Sequence, residues 1–272
     1  GLFTAVFDYP FLSSSANHIF DVTAGYAAGS DADSAGTVQN QKKKNIYNQF
    51  AQVLVPADVD GNIQSFDQDG NLTAGGTKID SAFFISFGRL LAKDELKKGS
   101  FRLGLFTNTP DGAVGSSERG GLSTIGDYGA ATSFFTNSPT GEYGLLYLSE
   151  AESSDTANSI GHLYYQAGVA VLTSSVLEGA TPTMTTASGA PMSSINTSSF
   201  ENLIVSGTLD ECANAIRYAY HDLNFNNTTE LNSTIYFCRA NTSEYNYSSN
   251  STYLSSSKIL VKGENAFAEP VS

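Results

Sequence analysis

The first regular pattern of hydrophobic positions along the chain has the period of a helix. The apolar residues that share this spacing are Ile46, Tyr47, Phe50, Val53 and Leu54. Side chains at i, i+1, i+4, i+7 and i+8 lie on one face of a 3.6-residue helix. Pro56 follows directly, and a proline ends a helix because it lacks the backbone N–H that the next turn requires. The pattern therefore predicts an amphipathic helix that ends before Pro56. We expect Lys42, Lys43 and Lys44, at its start, to form a solvated end rather than a phosphate site.

The middle of the chain has the two-residue period of β-strands. Residues 82–91 carry apolar bulk on both faces, which is typical of a well-buried strand. Residues 101–105 alternate more clearly, and residues 142–150 give a further strand. Residues 162–177 are interrupted by Gly168, where we expect a bend or a bulge. Between the first two strands, Lys93–Gly99 predicts one helical turn, with Gly99 as its left-handed cap.

A second helix is marked by its start signal. Thr208 and Glu211 have the spacing of a capping box, in which each side chain satisfies the other residue's backbone N–H. Leu209, Cys212 and Ile216 then begin an apolar face, and the pattern predicts a helix over 209–223. Strands are expected over 233–240 and 256–262.

Long polar segments separate these elements and suggest the domain organisation. We expect an extended N-terminal arm over 1–35, a β-rich domain over 36–178 with a long loop over 107–141, and a low-complexity linker over 179–200. Residues 201–272 would add a helix and strands that pack on the first domain. The predicted fold class is α+β, mainly β with two or three α-helices and long polar loops and arms.

Composition and charge exclude several classes of protein. The chain has 272 residues, 14 Lys+Arg against 27 Asp+Glu, and a net charge of −13, which argues against a nucleic-acid partner. With 17 Phe and 14 Tyr it has too many aromatic side chains for a disordered tail. No apolar run is long enough to span a membrane. Cys212 and Cys238 are interpreted as two buried thiols, with a disulfide bond as the alternative.

Candidate chemistry is sparse. Asp58–Asn62 and Asp67–Asn71 both contain Asp-x-Asp-Gly-Asn, which fits either a hairpin turn or a calcium loop. We favour the hairpin because no Glu stands at the closing position of either loop. The three histidines, His18, His162 and His221, form no zinc motif, and His162 is expected in a core or an interface. The sequence predicts no catalytic, cofactor-binding or metal-binding residue, no cofactor and no enzymatic activity.

Three stretches resemble a known class of proteins. They are Asn45–Phe50 (NIYNQF), Ala82–Arg89 (AFFISFGR) with the following KDELKKG, and Lys258–Ser272 (KILVKGENAFAEPVS). The chain resembles virion structural proteins of tailed bacteriophages, of the kind encoded in tail and baseplate modules of T-even-like, often marine, phages. The helix and the strand after it look like the opening of a baseplate wedge subunit. In such proteins the ending EPVS usually runs on into a further strand.

The resemblance implies a non-enzymatic structural subunit of a phage particle, in the tail or baseplate. Its partners would be other virion proteins and copies of itself, with no nucleic acid and no membrane, and it would be located in the virion after assembly in the bacterial host cytoplasm. A capsid or neck protein is a variant of this hypothesis. The alternative is a secreted or surface β-rich binding module that recognises glycan through Tyr245, Tyr247 and Tyr253. Six of the eight Asn-x-Ser/Thr sequons lie at 226–250, which would suit such a secreted protein.

Overall fold

The architecture comes from a computed structural model. It describes residues 1–8, 16–30, 33, 36–73, 75–106, 122–177, 204–205, 207–229, 231, 233–237, 254–255 and 258–259. The predicted linker over 179–200, residues 107–121 of the predicted loop, and Tyr245, Tyr247 and Tyr253 lie outside these residues. The described part of the chain is mainly β with two long helices, so the predicted fold class is confirmed.

The strands and helices follow one another in a fixed order. They are β1 (Thr4–Phe7), β2 (His18–Tyr26), α1 (Val38–Leu54), β3 (Phe66–Asp67), β4 (Lys78–Ile79), β5 (Ser81–Ser86), β6 (Glu95–Leu96), β7 (Arg102–Phe106), β8 (Leu122–Gly126), β9 (Phe135–Ser138), β10 (Gly141–Leu146), β11 (Gly161–Tyr164), β12 (Val169–Thr173), α2 (Leu209–Ala219), β13 (Tyr220–Asn224), β14 (Asn227–Thr228), β15 (Leu254–Ser255) and β16 (Lys258–Ile259). The chain forms two compact units, Gly1–Glu230 and Leu231–Ser272.

An antiparallel sheet of seven strands organises the first unit. Its order is β1-β2-β5-β12-β11-β10-β9, so β1 and β9 are its edges. A smaller sheet, β13-β7-β8, is connected to it by an isolated bridge between Gly126 and Tyr147. In the second unit, β15 pairs with β16 as a short hairpin.

Two apolar cores lie on opposite faces of the large sheet, because successive side chains of a strand point to opposite sides. On β5, Phe83 and Ile85 belong to the core that also contains Leu103 of the small sheet and Ile216 of α2. The intervening Phe84 faces the other core with Tyr47 and Ile46 of α1. The unit therefore has three layers: α1, the large sheet, and the small sheet with α2.

Helix α1 approaches β2 at Gly25. A Cβ atom on Gly25 would lie 2.6 Å from the carbonyl oxygen of Lys43 and 2.9 Å from the backbone nitrogen of Tyr47. Real Cβ atoms do not come this close to backbone, because interiors are already packed to crystal-like density. The helix can therefore cross the strand only where the side chain is absent.

Both predicted helices are present. Helix α1 begins at Val38, with the Thr37 side chain accepting from the backbone N–H of Asn40, and it ends at Leu54, two residues before Pro56. Helix α2 has the predicted capping box, since the backbone N–H of Glu211 donates to Thr208 Oγ1 at 3.3 Å and that of Thr208 donates to Glu211 Oε2 at 2.7 Å. The helix ends at Ala219 rather than at residue 223, because the chain turns there into β13, which pairs with β7.

The prediction of an extended arm over 1–35 is wrong for β1 and β2. Strand β2 is almost wholly buried, with Phe20, Val22, Ala24 and Tyr26 facing one core. The residues that face this core alternate along β2 in the sequence, but Ala24 and Gly25 are so small that the hydrophobic pattern is hard to recognise. Gly25 has no room for a side chain because α1 covers that face of the strand.

Three further local predictions need correction. Glu95 and Leu96, expected in a helical turn, form β6 and pair with β14, although Gly99 has the predicted positive φ of 81°. The predicted loop over 107–141 contains β8 and β9. The predicted single strand with a bend at Gly168 is the hairpin of β11 and β12, with Gly168 at φ 63° in its turn.

Of the predicted C-terminal strands, residues 233–237 belong to no helix or strand, and residues 238–240 lie outside the described part of the chain. Lys258 and Ile259 pair with Leu254 and Ser255 as β16. The remainder of the expected strand over 256–262 also lies outside the description.

Candidate functional site

A polar groove of about 330 Å³ lies where β4 leads into β5, beside the end of β12. It is lined mainly by hydroxyl and amide side chains, with one lysine and one aspartate. The lining residues are Gln68, Thr77, Lys78, Ile79, Asp80, Ser81, Asn158, Ser159, Ile160, Thr173, Ser174 and Ser175. A volume of this size is at the lower end of small-ligand sites, which are usually more apolar.

The walls of this groove are held together by hydrogen bonds. Gln68 Nε2 donates to the carbonyl oxygens of Ala157 at 2.9 Å and Ser159 at 2.8 Å, which joins the β3–β4 loop to the segment before β11. Where β5 and β12 lie side by side, the hydroxyls of Ser81 and Ser174 are within hydrogen-bond distance at 2.6 Å. The groove thus presents fixed hydroxyl and amide groups to a ligand.

The second Asp-x-Asp-Gly-Asn string forms the loop between β3 and β4, so the predicted hairpin is confirmed at this string. Asp67 is buried and forms an ion pair with Lys78, whose ammonium also donates to the carbonyl oxygen of Thr73 at 2.6 Å. Burial raises the pKa of Asp67 despite this partner. The loop therefore holds a lysine ammonium against the carboxylate that a calcium loop would offer to the metal.

The first string is a turn rather than a strand hairpin. Asp58 Oδ1 accepts from the backbone N–H of Asp60 at 2.9 Å and from that of Asn62 at 2.7 Å. These hydrogen bonds to the charged form lower the pKa of Asp58, Asn62 being the strongest partner. Among the residues that the structure describes, no group of three or more His, Cys, Asp or Glu could hold a metal ion.

His162 lies in the core, as its sequence context predicts. Its ring packs against Tyr143 at 5.2 Å and Phe66 at 6.2 Å between centroids, and Tyr164 OH is 3.4 Å from Nδ1. Burial lowers the pKa of His162 to about 4, so the ring is neutral near pH 7. It is inaccessible to a substrate and acts as part of the packing.

The other two histidines lie at the surface beside carboxylates. His18 Nε2 is 2.9 Å from Asp21 Oδ1, and its Nδ1 is 2.5 Å from an Arg89 nitrogen, which can only donate. His18 is therefore protonated on Nε2 in this arrangement. His221 Nδ1 is 2.8 Å from Asp222 Oδ1. Both histidines link strand residues at the surface.

Asp127 is the centre of a buried polar network that the sequence did not indicate. Its carboxylate accepts from the backbone N–H of Gly99 at 2.6 Å and of Phe101 at 2.9 Å, and from Tyr165 OH at 3.2 Å. Burial raises the pKa of Asp127, and these hydrogen bonds oppose that effect. The carboxylate therefore fixes the chain as it enters β7.

A pair of carboxylates lies nearby, joined by a lysine. Lys98 forms ion pairs with Glu142 and, at 3.5 Å, with the buried Glu95. The same ammonium lies over the rings of Phe134 at 4.8 Å and Tyr165 at 5.5 Å. The single ammonium of Lys98 therefore bridges the two carboxylates, and the three charged groups form one ion-pair network.

Lys43 contradicts the prediction of a solvated basic end on α1. It is fully buried, and its ammonium donates to the carbonyl oxygens of Ile204 and Gly207, each at 2.5 Å. Lys43 lies three residues before Ile46 and four before Tyr47, so the helical spacing places it on the same buried face. Burial lowers the pKa of Lys43. Neighbouring Cys212 is a buried thiol whose pKa burial raises to about 12, and Cys238 lies outside the described residues.

Several large apolar side chains of the described residues stand in solvent, and two groups of them are close together in sequence. In the second unit they are Leu231, Ile235, Tyr236 and Phe237. In the first unit, Leu2 and Phe3 are about half exposed next to edge strand β1, and Phe3 contacts the ring of Phe50 on α1. Runs of exposed apolar side chains mark interaction sites more often than scattered ones do.

No helix within the described residues combines the length and the apolar character needed to cross a bilayer. Comparisons with protein-family models, with curated proteins and with solved structures give no match to this chain.

Proposed function

We propose that the chain is a non-enzymatic structural subunit of a tailed-phage particle, part of the tail or baseplate, that works by assembly with neighbouring virion proteins. The proposal joins the resemblance of residues 45–50, 82–89 and 258–272 to virion proteins with the surface of the folded chain. It rests on exposed apolar side chains, which suit contact with another protein better than they suit catalysis.

One observation carries the proposal: Ile235, Tyr236 and Phe237 are consecutive and 72%, 83% and 92% exposed. Three adjacent large apolar side chains in water are unfavourable by about 25 cal/mol for each Å² of apolar surface that a partner could cover. Monomeric soluble proteins rarely keep such a run uncovered. A subunit that buries this run in an assembly accounts for it.

The charge of the chain is consistent with this role. A net charge of −13 keeps the free subunit soluble and repels other copies at long range. Basic patches on partner proteins would neutralise it during assembly.

Mass spectrometry of purified phage particles whose genome encodes this chain tests the proposal. We expect its peptides at a fixed ratio to the other tail or baseplate proteins, and they should remain after a high-salt wash and density-gradient purification. Absence from intact particles, with the chain present in the infected-cell lysate, would contradict the structural role.

The polar groove favours a second candidate function, that of a glycan-binding module. Its fixed hydroxyl and amide groups offer donors and acceptors of the kind that sugar hydroxyls need. A glycan array, with Ser175→Trp as a variant that fills the groove from an exposed lining position and Val59→Trp as a control outside it, tests this function. A glycan that binds the control but not the groove variant would support it.

A further inference from the structure

We infer that copies of this chain join by strand addition, with residues 231–237 of one copy pairing along edge strand β1 of a second copy. This contact deepens the proposed structural role, on which it rests, by naming one partner: the chain itself. Apart from Asn232, the residues of both halves of the contact are among those that the structure describes.

Strand β1 is an open template for such an addition. Among the strands that the structure describes, it forms one edge of the seven-stranded sheet and pairs with β2 alone. An edge strand presents unpaired N–H and C=O groups, and proteins usually protect such edges with charged residues or proline. Thr4–Phe7 contains neither.

The surface beside this edge is apolar. Leu2 and Phe3 precede β1 and are about half exposed, and Val53 is 57% exposed on α1. The ring of Phe50 stacks on Phe84 of the large sheet at 4.2 Å and meets Phe3 edge-on at 6.3 Å. Phe50 thus connects the exposed side chains to the core, and a strand added at β1 would bury its side chains on this surface.

Residues 231–237 have the composition expected of a strand that could be added at β1. The stretch Leu-Asn-Ser-Thr-Ile-Tyr-Phe carries no charge, and its β-branched and aromatic residues favour strands. Residues 233–237 belong to no helix or strand in the described structure, so pairing at β1 would give them the strand geometry that their composition favours. In a strand, Ile235 and Phe237 point to the same side, as burial on the Phe3–Phe50 surface requires.

The absence of charged side chains at this edge suits a second copy better than a basic partner. Two copies of net charge −13 repel each other, so contact between them is least unfavourable where both surfaces are uncharged. Both the stretch 231–237 and the segment from Leu2 through β1 meet this condition. A basic partner would instead bind where Asp and Glu side chains lie, outside these two uncharged segments.

The area is sufficient for a stable contact. Covering Leu231, Ile235 and Phe237, which share one side of the added strand, together with the four apolar residues beside β1, buries on the order of 700 Å². A reciprocal exchange between two copies buries roughly twice this area, above the ~1,200 Å² at which specific interfaces begin.

Sedimentation velocity of the full chain, from about 1 to 100 µM, tests this inference. We expect reversible self-association that strengthens as salt rises from 50 to 500 mM, because salt screens the repulsion between like-charged copies. Association through basic patches would weaken with salt. A chain that remains monomeric at every concentration and salt would overturn the inference, even if the protein is found in phage particles.

Two variants and a mixture identify the surfaces. Ile235→Asp and Phe3→Asp should each weaken self-association by at least about 100-fold, the effect of a charge placed in a buried apolar contact. Val59→Asp adds the same charge at a fully exposed apolar position outside both segments and should have little effect.

A 1:1 mixture of Ile235→Asp and Phe3→Asp should regain association, since one variant keeps an intact edge and the other an intact strand. Failure of the mixture to associate, or equal weakening by Val59→Asp, would contradict strand addition.

Discussion

The ammonium of Lys43 on α1 donates a 2.5 Å hydrogen bond to the carbonyl oxygen of Ile204, which lies 161 residues further along the chain. With a second bond to Gly207, the same ammonium attaches the segment before α2 to the first helix. Because Lys43 is fully buried, water cannot replace it as a donor.

Lys43→Met should therefore lower the free energy of unfolding by about 1–3 kcal/mol, since it keeps the length of the side chain but removes the donor to the buried carbonyl oxygen of Ile204 and to the partly buried one of Gly207. Urea denaturation measures the change. Lys42→Met, at an exposed position of the same helix, is the control and should have almost no effect. Equal stability of the two variants would mean that the ammonium contributes no net stabilisation.

Gly25→Ala should destabilise the protein by about 1–3 kcal/mol, because the added methyl group meets the backbone of α1 and forces the helix away from β2. Gly36→Ala, where a Cβ atom meets nothing within 4 Å, is the matched control. Thermal unfolding of both variants tests the close contact between helix and strand. A stable Gly25→Ala variant would show that α1 can shift at little cost.

His162 should make stability depend on pH between about 6.5 and 4. Burial lowers its native pKa to about 4, whereas the unfolded ring titrates near 6.5. As pH falls through this window, the unfolded state binds a proton that the native state does not, so the free energy of unfolding decreases, by on the order of 3 kcal/mol in total. Above pH 6.5 His162 therefore does not lower the free energy of unfolding, and below about pH 4 the full decrease has been reached.

The comparison of wild type with His162→Gln isolates this effect, because Asp67 and Asp127, whose pKa values burial raises, titrate in both proteins. Urea unfolding at several pH values should give a shallower pH dependence for the variant. Parallel curves would contradict the assignment to His162.

Asp127→Asn should destabilise the start of β7 by about 1–3 kcal/mol, because an amide has only one acceptor oxygen, so the N–H of either Gly99 or Phe101 would face an NH2 donor. Tyr165→Phe removes a single donor to the same carboxylate and should cost less. Asp60→Asn, at an exposed aspartate, is the control for the change of charge. Hydrogen exchange at Phe101 should be faster only in the first two variants.

Thr208→Ala should cost about 1 kcal/mol, since it removes the side chain that caps the backbone N–H of Glu211. Thr208→Ser retains the hydroxyl and should restore most of the stability. Circular dichroism during thermal unfolding distinguishes the three proteins. A serine variant as unstable as the alanine variant would assign the effect to the lost methyl group instead.

The sequence predicted the elements whose signal is local. Helix α1 follows from its apolar spacing, and the start of α2 follows from the pair Thr208 and Glu211. Strand β5 is equally clear, because both of its faces are buried and both carry apolar residues. In each case, residues that are close together in the sequence determine the helix or strand.

The elements that were missed depend on partners far away in sequence. Glu95 and Leu96 form a strand only because Asn227 and Thr228 lie beside them. Helix α2 stops at Ala219 because Tyr220 pairs with Leu105. The roles of Lys43 and Asp127 follow from backbone groups that surround them in the fold. The residues next to Lys43 and Asp127 in the sequence do not indicate these roles.

The strand order has a consequence for the newly synthesised chain. Strand β5 lies between β2 and β12, and β12 begins about 80 residues after β5 ends. At roughly 5–20 residues per second, a ribosome needs several seconds to supply those residues. During that interval the apolar strand β5 has an open edge beside the ribosome, so the chain is most prone to aggregation before its synthesis is half to two-thirds complete. Slower elongation or crowding of nascent chains in that interval would reduce the yield of folded protein.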